Sequence, residues 1–228
     1  MSSVFLKAAI RDGGAVGTPS GLPVVRGIFP GLVRGAATVV CLALGLALAG
    51  SNAMASERSS ERVVTRMMDS IGTLFQEAET QSQIVDGLEK HLGKYTDIEL
   101  IARAAIGVPW RQATTGQRQD FMVVFVRYLA EKYARHLPQA MEGSYEIVET
   151  RKLKKNHYEV LSSIVLDEAE DYEIKWFTRV RNGRTRIVNM VTSEFNLLSL
   201  ERTVIRSLLL QRGGNLDELT SYLPSRYN

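Results

Sequence analysis

Hydrophobic and polar positions follow two different rhythms along this chain. From Ser59 to Leu137 the apolar residues recur every three or four positions, the spacing of helices with one buried face. Ser59 or Ser60 is placed to cap a helix carrying Val63, Val64, Met67, Ile71, Leu74 and Phe75. A second helix is predicted over Gln81–Leu92, closed by Gly93. A third is capped by Thr96, buries Ile98, Ile101, Ala102 and Ala105, and stops at Gly107–Val108–Pro109. Thr114 opens a fourth, with Gln117 three residues on as in a capping box. Phe121, Phe125, Leu129 and Tyr133 form its i, i+4 stripe. Met122, Val123, Val124, Val126 and Tyr128 widen that stripe beyond one face. Such a helix is buried on more than one side, either as a central core helix or as the wall of a cavity.

From Ser144 to Thr192 the period falls to two. Strands are predicted over Ser144–Thr150, His157–Leu166, Tyr172–Arg181 and Arg184–Val191, joined by short turns into an antiparallel meander. Asn182–Gly183 calls for a tight hairpin in which both central residues take positive φ. On the third strand Tyr172, Ile174, Trp176, Thr178 and Val180 share an inward face. Glu173, Lys175, Phe177, Arg179 and Arg181 share the other. A helix from Ser199 to Gln211 follows, bearing Leu200, Val204, Leu208 and Leu209. Gly213–Gly214 ends it, and a short helix runs from Asn215 to Leu223. The expected fold class is α+β, with N-terminal helices and a C-terminal helix on one face of a curved sheet of about four strands.

Composition alters this picture at the N-terminus. Residues Gly35 to Ala49 form an uncharged run behind Arg26 and Arg34, with small residues after it. Basic region, short apolar core and small-residue cleavage positions after Ala53 or Ala55 are the pattern of a secretory signal. The run is shorter than the roughly 20 residues that span a bilayer. An uncleaved inner-membrane anchor is the alternative. Cys41 does not suit a lipoprotein site, because Val40 before it is not small. The domain division is therefore leader and signal at 1–55, and a single α+β domain at 56–228.

Removing the leader takes away most of the basic excess. The full chain has 28 Lys and Arg against 25 Asp and Glu. Residues 56–228 keep 24 of each, so the folded part lacks the positive surplus of a nucleic-acid binder. The one Cys lies in the leader, which fits an oxidising compartment.

Motifs of covalent chemistry are missing from the sequence. It has no G-x-S-x-G, H-E-x-x-H, P-loop or G-x-G-x-x-G after a strand. No catalytic residue, metal ligand or cofactor is predicted. His91, His136 and His157 read as surface or capping residues. Asp167, Glu168, Glu170 and Asp171 read as a solvated turn rather than a calcium loop. Charge is arranged instead by turn. Arg151, Lys152, Lys154 and Lys155 sit at the first turn, and Arg181 and Arg184 flank the third. In a meander these share one end. That basic end is a candidate for contact with anionic headgroups or an acidic partner surface.

The run Tyr95–Thr96–Asp97, Ile101–Ala102, Ile106–Gly107, Trp110–Arg111, Ala113–Thr114, Gln117–Arg118, Phe121, Phe125, Leu129, Tyr133 resembles the MlaC/toluene-tolerance family of periplasmic phospholipid-binding proteins. Thr185, Asn189 and Glu194–Phe195–Asn196 depart from that family's pattern. The resemblance implies a periplasmic lipid shuttle between the outer membrane and an inner-membrane ABC transporter complex, with an outer-membrane lipoprotein complex as a further partner. A scaffold without ligand and a hopanoid carrier are the alternatives.

Moving a sixteen-carbon tail into water costs on the order of 13 kcal/mol, at about 0.8 kcal/mol per methylene. A carrier therefore needs an enclosed apolar cavity. The expected lipid-binding residues are Phe121, Phe125, Leu129 and Tyr133, facing Val160, Ile164, Ile174, Trp176 and Met190.

Overall fold

The computed structural model describes residues 36–135, 144–165, 172–193 and 196–226. The chain divides into two compact units, 1–42 and 43–228; the first helix begins in the first, and all the packing that follows lies in the second. The elements of the chain are α1 (Ala36–Glu77), α2 (Gln81–Tyr95), α3 (Ile98–Ile106), α4 (Pro109–Gln112), α5 (Thr115–Ala134), β1 (Ser144–Lys154), β2 (His157–Val165), β3 (Tyr172–Arg181), β4 (Arg184–Val191), α6 (Leu197–Leu210) and α7 (Leu216–Tyr222). A 3-10 turn, Leu223–Arg226, follows α7. No described helix is long and apolar enough to cross a membrane.

The four strands form one antiparallel sheet in the order β1-β2-β3-β4, the expected meander. Both turn residues of the last hairpin are left-handed, Asn182 at φ 51 and Gly183 at φ 71. β1 runs four residues further than its pattern suggested. Irregularities lie between Ile147 and Glu149 and between Lys152 and Lys154, and they leave Val148 and Leu153 exposed. Each irregularity breaks the strict alternation on which the shorter estimate rested.

The helical boundaries differ from expectation where two capping residues compete. Ser59 and Ser60 do not open a helix, because α1 continues upstream through a segment without proline. The Ser60 hydroxyl donates to the Ser56 carbonyl at 3.0 Å and accepts from Thr178 on β3 at 2.8 Å. Gly93 lies inside α2, which Thr96 closes by donating its hydroxyl to the Leu92 carbonyl at 2.7 Å. The cap of α3 is then the next residue, Asp97, whose carboxylate accepts from the Leu100 amide. Thr114 and Gln117 form the expected capping box on α5. α4, a single turn with Pro109 at its start, was not anticipated.

Two apolar clusters make up the core. One joins α1 (Val64, Met67, Ile71), α2 (Leu88) and the end of α5 (Ala130, Ala134) to Val160, Ile164, Ile174, Trp176 and Ile187 of the sheet. The other is helical and gathers α3, α4, the first part of α5, α6 and α7 around Phe121, Phe125 and Tyr128. α5 belongs to both. Its burial is less wide than its composition implied. Val123 is 65% exposed, while Tyr128, Ala130 and Ala134 carry the second buried side.

α6 is rotated by about one residue from its expected phase. Glu201, Ile205, Leu208 and Leu209 are buried, and Leu200 is partly exposed.

Gly107 and Gly93 make a testable contrast. Gly107 sits at φ 82, and a Cβ there would lie 2.5 Å from the Arg206 guanidinium. Gly93 is helical with open space around it. Gly107→Ala should destabilise the domain by about 1–3 kcal/mol. Gly93→Ala should stabilise it by about 0.5–1 kcal/mol. Urea unfolding of both variants reads the two signs.

Candidate functional site: an apolar cavity between two cores

A cavity of about 420 Å³ lies on the seam between the two clusters. Its walls are Met67, Met68 and Ile71 of α1, Leu88, His91 and Leu92 of α2, and Thr96 and Ile101 beside and on α3. Leu129, Lys132 and Tyr133 of α5, Ile164 of β2, and Ile174 and Trp176 of β3 continue them. Ile187, Asn189 and Met190 of β4, then Thr192, Leu197 and Leu200, complete the ring.

Six of the nine residues expected at a lipid site meet here: Leu129, Tyr133, Ile164, Ile174, Trp176 and Met190. Phe121, Phe125 and Val160 do not. Residues four apart on an α-helix are turned by about 40° from one another, so Phe121 and Tyr133 face about 120° apart. The first two rings of the stripe stack at 5.2 Å in the helical core, with Trp110 edge-on to Phe121 at 6.5 Å. Only the last two members reach the cavity. Val160 is fully buried in the sheet-side cluster, which also holds Val64 of α1.

The walls from α1 and α2 were not assigned to a site from the sequence. Met67 and Ile71 had the signal of a buried helical face, but nothing in it distinguished packed core from cavity wall.

Polar groups in the wall are mostly committed elsewhere. The Trp176 indole N–H donates to Ser162 at 2.9 Å. Ser162 is fully buried, so the ring offers carbon to the hollow while its polar edge is satisfied within the sheet. Asn189 accepts from the Leu198 amide at 2.9 Å and donates to Asn196 at 3.2 Å. Asn196 in turn caps α6 by accepting from Ser199. The two asparagines therefore form one device, fastening α6 to the last strand.

Beneath the wall lies an ionic group. Glu201 is fully buried, and its Oε1 accepts from Lys132 Nζ at 2.7 Å and from the Tyr133 hydroxyl at 2.6 Å. A lone carboxylate in that position would carry a large desolvation cost, which the two donors offset.

The basic residues of the hairpins lie as the meander requires. His157 pairs with both Lys154 and Arg179, and the Val180 amide donates to the Asn156 carbonyl at 2.9 Å, so the first and third turns share an end of the sheet. Lys152, Lys154, Lys155, Arg181 and Arg184 are exposed there. Arg151 is exposed too but pairs with Glu159 at 2.7 Å. The acidic residues 167–171 lie outside the described residues. A separate polar cleft, lined by Arg103, Arg111, Arg118 and Arg206, lies against α4 and shares no residue with the cavity.

Helices against an open four-stranded meander, with an apolar hollow between two cores, define an α+β domain of the binding-protein type. Residues 61–225 match the family described as MlaC protein, and the chain belongs to that family. The fold is similar to that of the phospholipid-binding protein from Ralstonia solanacearum, solved in complex with a phospholipid. The TM-score is 0.63 at 16% identity, covering 74% of this chain and 96% of that one. No curated protein matches the sequence.

His91 offers a check on the wall. Burial first, then the charges of Lys90 and Lys94, hold its pKa below the usual histidine value. The unfolded chain then takes up this proton at higher pH than the folded one, so stability should fall as pH drops below about 6.5. The melting temperature of His91→Phe should decline less between pH 7 and pH 5 than that of the wild type.

Proposed function

We propose that this protein is a periplasmic phospholipid-binding carrier, which sequesters acyl chains non-covalently and passes lipid between the outer membrane and an inner-membrane ABC transporter complex. The observation that carries this reading is the apolar cavity. Its volume of about 420 Å³ falls in the range of small-molecule sites, about 300–1,000 Å³. Apolar hollows of about 150 Å³ already stay dry and take up apolar guests. Membership of the MlaC family and the phospholipid held by the Ralstonia protein support the same reading.

The work asked of such a carrier is binding rather than bond-making. Tails enter against Leu129, Tyr133, Ile164, Ile174, Trp176 and Met190, and the removal of their methylenes from water supplies the affinity. Met67, Met68 and Met190 give the wall side chains with three flexible bonds, suited to tails of differing shape. The secretory signal in residues 1–55 would place the domain in the periplasm, where lipid must cross water between two membranes. At the exposed hairpin end, Lys152, Lys154, Lys155, Arg181 and Arg184 would bring the carrier to an anionic membrane surface or an acidic partner. The outer-membrane lipoprotein complex is the expected partner on the other side.

Native mass spectrometry of protein purified from the periplasm tests the carrier directly. Co-purified phospholipid in near-stoichiometric amount is the expected result, and a lipid-free protein that also refuses added phospholipid would sink the proposal. Met190→Trp, which fills the hollow from a flexible position, should lower retained lipid several-fold with little change in melting temperature. Charge reversal at Lys152, Lys154 and Lys155 should weaken sedimentation with vesicles containing phosphatidylglycerol by about 1 kcal/mol per residue, and the loss should shrink as salt is raised.

A further inference from the structure

Lys132 is the one residue with a fixed charge among the described residues that line the cavity. Its ammonium carries three N–H donors. One goes to Glu201 Oε1 at 2.7 Å. The amine also lies 5.5 Å from the centre of the Tyr133 ring and 5.8 Å from that of Tyr128. Its side chain is 17% exposed, so it is neither solvated freely nor sealed in the core. Other polar groups of the wall have partners inside the protein: Thr96 with Leu92, Asn189 with Leu198 and Asn196, Tyr133 with Glu201. His91 is held towards its neutral form by burial and by Lys90 and Lys94. Two polar groups of the wall are then left over, His91 Nδ1, which has no hydrogen bond, and the amine of Lys132, and of the two only the amine carries a fixed charge.

Glu201 gives that cation a fixed partner. It is fully buried, takes hydrogen bonds from both Lys132 and Tyr133 on the same oxygen, and leaves Oε2 without a hydrogen bond. The carboxylate pairs with the ammonium and holds its direction, while two N–H groups remain for a guest. An amphiphile with a long apolar body and one anionic group has the same distribution of polarity as this wall.

From this the geometry points to Lys132 as the seat of the guest's anionic group, a lipid phosphate or a fatty-acid carboxylate, with Glu201 as its positioning residue. This rests on the carrier reading above and adds which end of the guest the cavity recognises. An ammonium–anion hydrogen bond in a water-poor site is stronger than a neutral one, so chains that differ only in the charged group are told apart.

Matched pairs read this out. Hexadecanoate against hexadecanol, and phosphatidic acid against the corresponding diacylglycerol, are compared by displacement of a fluorescent reporter lipid at fixed pH and salt. The wild type should hold the anionic member of at least one pair about ten-fold more tightly, equal to about 1.4 kcal/mol. The two pairs separate carboxylate from phosphate recognition.

In the double variant K132M/E201Q, which leaves no buried carboxylate unpaired, the ratio should fall to near one, and K132R should restore most of it. A wild type without preference, or a preference unchanged in the double variant, overturns the assignment while leaving the carrier reading intact. Failure of the wild type to bind any of the four ligands overturns both.

A measurement that needs no variant is acylation of the Lys132 amine, followed by peptide mass spectrometry. Hexadecanoate should slow it several-fold more than hexadecanol at equal occupancy. Equal protection by the two would again remove the assignment.

Discussion

Helix α5 has to serve two cores, and the hollow exists because it does. Its first turns stack Phe121, Phe125 and Tyr128 into a helical cluster. Its last turns present Ala130 and Ala134 to the sheet-side cluster. A helix cannot fill both directions with large side chains at the point where one allegiance gives way to the other. Close packing is kept on either side of that point, and the cavity occupies the seam.

Keeping such a hollow dry is a matter of polar accounting. A hydroxyl or amide left unpaired in an apolar wall draws water or costs stability. Here Trp176 turns its N–H to Ser162, and Asn189 and Asn196 spend theirs on the start of α6. The same accounting makes the buried pair of Lys132 and Glu201 stand out, since a structural ion pair would be cheaper to replace with hydrocarbon.

Much of the architecture was legible in the sequence. The period-two segment, the Asn182–Gly183 turn and the Thr114–Gln117 box each state their geometry within a few residues. The boundaries of β3 and β4 follow directly. Errors arose where a local signal had two owners. Thr96 and Asp97 both cap, and tertiary packing assigns one to the end of α2 and the other to the start of α3.

The cavity itself was harder to read. A stripe four residues apart looks like one face, yet it turns steadily around the helix, and only the packing partners decide where core ends and cavity begins. Glu201 left no periodic trace at all. A charged residue in an exposed and in a buried helical position is the same letter, and its value here comes from Lys132 and Tyr133 on another helix.

The two margins of the sheet are protected by different means. At β4 the chain leading into α3 lies alongside, with Thr96 bridged to Ile187 and the Asp97 amide donating to the Ile187 carbonyl. β1 pairs only with β2 among the described strands, and its outer backbone would invite a second strand to add on. The kinks near Val148 and Leu153 interrupt any straight template, and Glu146, Glu149, Arg151, Lys152 and Lys154 load the margin with charge. The exposed strand edge is thereby kept from pairing with further copies of the chain.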